Sequence, residues 1–206
     1  MTERRRVAVL GGTFDPVHTG HIAVVTSVRA AIGAEEGWLL PARTPALRRE
    51  PIAPAQLRLA MLEAAVRSVP GVRVVDIELR RPGVSYTVDT LEALAVANPD
   101  LEPWWILGAD AARRIDEWER SDDLRSLLHL AVVQRAGAPV FTDRDREALG
   151  LAADRTVVLD LVLPAVSATE VRRRVAAGKP LGTLVPSPVG DIIAASGLYR
   201  AMTPLP

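Results

Sequence analysis

Two histidines three residues apart follow a glycine pair in the run Gly11-Gly12-Thr13-Phe14-Asp15-Pro16-Val17-His18-Thr19-Gly20-His21. The apolar residues Val7-Ala8-Val9-Leu10 before it suit a central strand of a parallel sheet. Gly11 and Gly12 are expected to let the backbone turn sharply and approach a ligand closely. A helix starting near Thr19 or Gly20 would aim free N–H groups and its positive dipole end at that turn, where an anionic phosphate binds. His18 and His21 would add side-chain donors, with Thr13 and Phe14 beside them. Together these parts make a cradle for a nucleoside triphosphate. An isolated histidine is more often a cap or turn residue; two at this spacing, after this strand and turn, point to phosphate chemistry.

The elements around this run alternate. Helical spacing covers Ile22 to Ile32, with Gly33 as its stop. A short strand, Trp38-Leu39-Leu40, precedes an Arg- and Pro-rich loop over 42–53, and a helix runs from Pro54 and Ala55 to Val66 with Leu57, Met61, Leu62 and Ala65 on one face. Val72 to Leu79 alternates like a strand. A helix over Thr87 to Ala97 ends at Asn98-Pro99, with Ser85 or Thr87 as its cap. Trp104-Trp105-Ile106-Leu107 forms a buried strand ending at Gly108. Short helices follow over Ala109 to Ile115 and, capped by Ser121, over Ser121 to Leu127. Strands over Leu130 to Val133 and Thr156 to Leu163 flank a loop-like stretch with a short helix, and helices over Val171 to Ala177 and Gly190 to Ser196 close the chain. No repeat or low-complexity segment interrupts the pattern. This alternation predicts an α/β fold, a doubly wound, mostly parallel sheet with helices on both faces. Ligands in such folds bind beyond the carboxyl ends of the strands, where the histidine run lies. One domain is expected over residues 1–206, with 164–206 as a small C-terminal helical part.

Composition narrows the function. Hydrophobic residues make up 49% of the 206, enough for a full core. Lys plus Arg and Asp plus Glu both count 25, a balance that argues against nucleic acid or acidic membrane as partner. Without cysteine there is no disulfide, thiolate metal site or thiol nucleophile. The charged start Thr2 to Arg6 leads straight into a strand and fits no signal peptide, and no apolar run reaches membrane-spanning length. The expectation is a cytoplasmic protein. Assembly into a homo-oligomer is left open.

The histidine run resembles the His-x-Gly-His signature of the nucleotidylyltransferase superfamily, which implies a Rossmann-like fold. Four later segments resemble one branch, bacterial nicotinate mononucleotide adenylyltransferase. These are Ser85-Tyr86-Thr87-Val88-Asp89-Thr90-Leu91, Ile106-Leu107-Gly108-Ala109-Asp110, Glu117-Trp118-Glu119 and Val166-Ser167-Ala168-Thr169-Glu170-Val171-Arg172. Leu184-Val185-Pro186 through Gly197-Leu198-Tyr199 also matches. The resemblance implies that Gly108 and Asp110 hold the nucleoside ribose and that Trp118 stacks on a pyridine ring. It implies that Ser167 and Thr169 start a helix which, with Arg172, holds the departing pyrophosphate. Thr13, His18, His21 and Arg172 become the catalytic set, and Gly11, Gly12, Phe14 and Gly20 line the nucleotide beside them. Ser85, Tyr86, Thr87, Trp118, Arg43, Arg48, Arg49 and Arg135 fall on the acceptor side. Magnesium is implied as a cofactor bound through the NTP phosphates, with no metal site of the protein's own.

Departures from the family lie mostly at the acceptor. The loop Pro41-Ala42-Arg43-Thr44-Pro45-Ala46-Leu47-Arg48-Arg49 has Leu47 where the family has His or Gln, and Ala136 follows Arg135 where the family has Pro. Ala168 removes one hydroxyl from the phosphate motif. The resulting expectation is an NMP transfer from ATP to nicotinate mononucleotide. The alternative is a CTP-dependent cytidylyltransferase acting on a small phosphonate or other phosphorylated acceptor, which the Arg-rich loop favours. A non-catalytic nucleotide-binding paralogue is the reading from another class, and the intact Thr13, His18, His21 and Arg172 speak against it.

Overall fold

The computed structural model describes residues 4–46, 50–134, 137 and 139–200. Its centre is a sheet of β1 (Arg5–Gly12), β2 (Glu36–Pro41), β3 (Val72–Val74), β4 (Leu101–Gly108), β5 (His129–Gln134) and β6 (Thr156–Asp160). The strands run in the order β3-β2-β1-β4-β5-β6, and each neighbouring pair is parallel. The order reverses between β1 and β4. In an open parallel sheet a crevice forms at that switch point, because the connections from the two strands leave to opposite faces.

Strand alternation divides the core. Val7 and Val9 of β1, Trp105 and Leu107 of β4, and Leu130 and Val132 of β5 face one apolar layer. It is completed by α4 (Thr87–Ala97), α5 (Ala109–Ala112) and α6 (Ser121–Leu127). Ala8, Ile106, Ala131 and Val133 face the other. Against that face pack α1 (Thr19–Ala31), α2 (Ala55–Val66), α8 (Ala168–Ala176) and α9 (Ser187–Ser196). Among the described residues the other α-helices, both short, are α3 (Ile77–Arg80) and α7 (Asp143–Ala148). No helix among the described residues is long and apolar enough to cross a membrane.

Several elements differ from their sequence expectation. Val72 to Leu79 is not one strand: β3 stops at Val74, Val75 N–H donates to Leu39 O as the last ladder bond, and the chain turns into α3. The alternation persisted there because Ile77 and Leu79 fall on odd spacing by chance, while Glu78 between them is buried. The last strand ends at Asp160 rather than Leu163, and α8 and α9 each begin three residues before the apolar periodicity does. Neither Ser85 nor Thr87 caps α4: the preceding residue is Tyr86, with no side-chain bond, and Ser85 Oγ instead accepts from Arg43 N–H at 2.9 Å. Ser121 lies inside α6, entered through Arg120 in the left-handed region at φ 50°.

Candidate active site at the strand switch point

The loop after β1 owes its shape to residues other than its glycines. Gly11 and Gly12 belong to the strand itself. A Cβ on Gly11 would lie 2.9 Å from Trp105 Cζ2, and one on Gly12 would lie 3.3 Å from Phe14 Cζ, so both positions are small because rings cross them. The left-handed residue of the turn is Phe14, at φ 51°. Its ring meets His21 edge-on, with centroids 4.9 Å apart.

His18 precedes α1 in extended conformation and His21 is in the helix's first turn. Their rings stack at 3.6 Å between centroids, and His18 N–H donates to His21 Nδ1 at 3.2 Å. An Nδ1 that accepts carries no proton, so the donor of that imidazole is Nε2–H. A Cβ on Gly20, the second of the two residues between the histidines, would sit 3.1 Å from His18 Nδ1 and crowd that ring. Thr13 Oγ1 is buried and has no hydrogen-bond partner among the described residues. A buried hydroxyl left without such a partner, in the loop that leads into the two histidines, is a group that a ligand oxygen would satisfy.

From the other side of the crevice comes α8. Ser167 Oγ caps it by accepting from Glu170 N–H at 3.2 Å. Arg172 Nη1 donates to Asp15 O at 2.6 Å and Nη2 to Thr169 Oγ1 at 3.2 Å, so the motif at 166–172 and the histidine loop are joined directly. Gly108 ends β4, and the space where its Cβ would be is open to 4 Å. Asp110 follows, exposed, in the first turn of α5.

The expected acceptor residues divide. Tyr86 and Trp118 pack, half-buried, on the same apolar cluster as Leu107 and Ala109. Ser85 N–H donates to Thr44 O at 2.9 Å, and its Oγ takes Arg43 N–H, so the Ser85–Thr87 segment is tied to the loop after β2. The exposed Arg43 guanidinium donates to Leu79 O at 2.9 Å, beside a cleft of about 330 Å³ lined by Gln56, Leu59 and Arg80. Arg48, Arg49 and Arg135 lie outside the described residues.

Two groups that sequence reasoning passed over support these loops. Under Ser85–Thr87 lies Glu78, only 5% exposed, whose Oε1 accepts from Thr90 Oγ1 at 2.7 Å while Arg81 Nη2 donates to Thr90 Oγ1 at 2.9 Å. Burial pushes the Glu78 carboxyl up from its ordinary value, against the lowering pull of the Thr90 and Ser85 hydroxyls and of Arg81. The second group surrounds Asp15, whose carboxylate accepts from Ile52 N–H, Ala53 N–H and Tyr199 Oη at 2.8, 3.0 and 2.7 Å. Burial, then the bond to Asp15, pushes the Tyr199 phenol up, so it stays a donor at any physiological pH. Arg58, 1% exposed, completes that group.

Among the described residues no three His, Cys, Asp or Glu side chains stand together as a metal cluster. The Thr13 hydroxyl, the His18 and His21 imidazoles and the Arg172 guanidinium tied to Asp15 O are groups of the kind that donate to anionic oxygens.

Residues 9–174 match the cytidylyltransferase-like family. The chain is 41% identical over 197 residues to a Symbiobacterium thermophilum protein named "probable nicotinate-nucleotide adenylyltransferase", covering 94% of this chain and 95% of that one. A Bordetella pertussis protein of the same name is 38% identical, with 95% and 98% covered. Among solved structures, the nicotinic acid mononucleotide adenylyltransferase of Plasmodium falciparum complexed with NaAD superposes with a TM-score of 0.79 at 15% identity, covering 95% of this chain and 97% of that one, a likeness of fold. Sequence likeness over nearly the full length joins the evidence of the strand switch point: this chain is a nucleotidyltransferase of the cytidylyltransferase-like family and belongs with the nicotinate-nucleotide adenylyltransferases.

Proposed function

We propose that the chain moves the adenylyl group of ATP onto the phosphate of nicotinate mononucleotide, giving deamido-NAD and pyrophosphate. The observation that carries this reading is the buried Thr13 hydroxyl, without a partner among the described residues, in the same β1–α1 connection as the stacked His18–His21 pair at the β1–β4 switch point. The relatives' names supply the acceptor.

An ionised oxygen of the acceptor phosphate attacks the α-phosphorus. The bond from that phosphorus to the bridging oxygen breaks, and pyrophosphate leaves. No covalent enzyme intermediate and no general base is required, so catalysis reduces to alignment and charge stabilisation. His18, His21 and the Thr13 hydroxyl hold the α- and β-phosphate oxygens, with Gly11 and Gly12 at the end of β1, Phe14 in the turn and Gly20 at the start of α1 lining the nucleotide. Arg172, with Ser167 and Thr169 at the start of α8, holds the pyrophosphate end. Gly108 leaves room for the nucleoside, and Asp110 takes its ribose. Trp118 and Tyr86 flank the pyridine ring, while Ser85 and Thr87 take polar groups of the acceptor. Arg43, Arg48, Arg49 and Arg135 supply cations to its phosphate. Magnesium, entering with the nucleotide, would supply positive charge against the leaving pyrophosphate. Asp15, the carboxylate within the histidine loop, is committed to Ile52, Ala53 and Tyr199 and does not supply a ligand.

A pair of variants tests the acceptor. Trp118→Ala should raise the KM for nicotinate mononucleotide by about tenfold, from lost stacking of roughly 1 kcal/mol plus lost burial of the ring. Arg43→Ala should raise it less. The reverse order, with Arg43→Ala severe and Trp118→Ala mild, is what a compact phosphonate acceptor would give, and it would overturn the nicotinate reading.

A further inference from the structure

Arg58 is a charged residue in the wrong place for a surface helix. Along α2 it shares the buried face with Met61, Leu62 and Ala65. A guanidinium is tolerated there only if its donors are matched. They are matched by three main-chain carbonyls, one from the loop after β1 and two from the opposite ends of the loop after β2: Nη1 donates to Thr13 O at 2.8 Å, Nη2 to Arg43 O at 3.3 Å, and Nε to Ala53 O at 3.3 Å. Burial lowers the Arg58 pKa, and the Asp15 carboxylate works against that loss.

Thr13 belongs to the loop after β1 and Arg43 to the loop after β2. On the proposed function, the first carries the triphosphate and the second the acceptor side. In-line transfer depends on the distance between them. Ala42 N–H donates to Gly12 O at 2.9 Å, and the Asp15 carboxylate takes Ile52 N–H and Ala53 N–H at the far end of the second loop; between these ties the Arg58 fork joins Thr13 directly to Arg43. We propose that Arg58 is a positioning residue that fixes the nucleotide loop against the acceptor loop, so that it sets the approach of the two substrates without touching either. This rests on the assignment of those loops to the two substrates. A planar guanidinium presents Nη1 and Nη2 to two carbonyls at once, whereas a lysine ammonium is a single point of charge and cannot span them.

The test is Arg58→Lys. A displacement of the loops by about 1 Å should lower kcat by about 100-fold per folded site, counted by calorimetric stoichiometry. The Kd of a non-hydrolysable ATP analogue alone, and that of nicotinate mononucleotide alone, should each change by less than about threefold, because each loop keeps its own contacts. A merely structural role would lower the number of folded sites and leave kcat per site unchanged; that outcome overturns the proposal, as does a loss confined to one substrate's Kd. Should Arg58→Lys fail to fold, Arg58→Ala with added methylguanidine decides: recovery of turnover supports the proposal, and folded protein without recovery overturns it. Hydrogen exchange at Ala42 and Arg43 gives a readout independent of the acceptor. Arg58→Lys, or Arg58→Ala in its place, should speed it by about tenfold. If the unmutated protein does not turn over nicotinate mononucleotide, the acceptor reading fails, and the exchange rates alone judge Arg58: unchanged rates overturn the proposal, accelerated rates support it.

Discussion

At the scale of the residue, the two histidines divide their tasks between shape and chemistry. The His18 N–H bond to His21 Nδ1 fixes the tautomer of His21, and the ring stack fixes the orientation of both. Donors held in this way do not reorganise when charge develops on a phosphate oxygen, which is how such groups favour the transition state over the ground state. Replacing either His18 or His21 by Ala should therefore lower kcat by about 100-fold or more, with the thermal midpoint little changed for His21. Steady-state kinetics on folded variants checks this; near-normal kcat in both would remove the histidines from the catalytic set. Their placement was legible because two histidines, a strand and a helix start are all local features. Arg58 was not, since its partners are backbone carbonyls of Thr13, Arg43 and Ala53, and a carbonyl leaves no trace in residue type. Of the expected helical face Leu57, Met61, Leu62 and Ala65, the last three are buried, but in the first turn of α2 the buried residue is Arg58 and Leu57 is only partly covered.

At the scale of the element, the acceptor segment Ser85–Thr87 rests on α3 and the first turns of α4. The link is the buried Glu78–Thr90–Arg81 network. Glu78 has a folded-state pKa raised above the ordinary 4.5. Below that value the carboxyl is neutral in both folded and unfolded chains, and its burial carries no ionisation penalty. As pH rises through the window from 4.5 to the raised value, the unfolded chain releases its proton first, so stability falls with rising pH. Glu78→Gln removes this slope and keeps an acceptor for Thr90. It should unfold about 2–4 °C higher than the parent at pH 7 and show no such advantage at pH 4, by thermal melts at both pH values. An equal difference at the two pH values would show that ionisation of Glu78 is not the cause. The element reads in sequence as part of a strand because Val72 and Val74, and then Val75, Ile77 and Leu79 in the opposite phase, mimic alternation. What breaks the strand is Asp76, whose carbonyl accepts from Arg80 N–H and whose carboxylate pairs with the Arg80 side chain four residues on. That signal is polar and lies between the apolar positions on which periodicity depends.

At the scale of the whole molecule, the sheet order places the two ligand-bearing loops together and the helices lock them. Thr19 Oγ1 reaches the carbonyls of Thr183 and Leu184, Arg172 reaches Asp15, and Tyr199 reaches the same Asp15 across 184 residues. The C-terminal part is thus held to the histidine loop at three points. Parallel alternation was legible along the chain because buried strands of Val, Leu and Trp stand out between helices. The long-range contacts of Asp15 were not, since a carboxylate after a turn reads equally well as solvent-exposed. Adenylyl transfer to nicotinate mononucleotide is the activity for which these loops are held together. Incubating the unmutated protein with magnesium, ATP and nicotinate mononucleotide, and following pyrophosphate together with the dinucleotide by chromatography, tests it most directly. Stoichiometric pyrophosphate and deamido-NAD, with CTP giving little of either, is the predicted result. Pyrophosphate released only with CTP, or no dinucleotide from nicotinate mononucleotide with any nucleoside triphosphate, would contradict it.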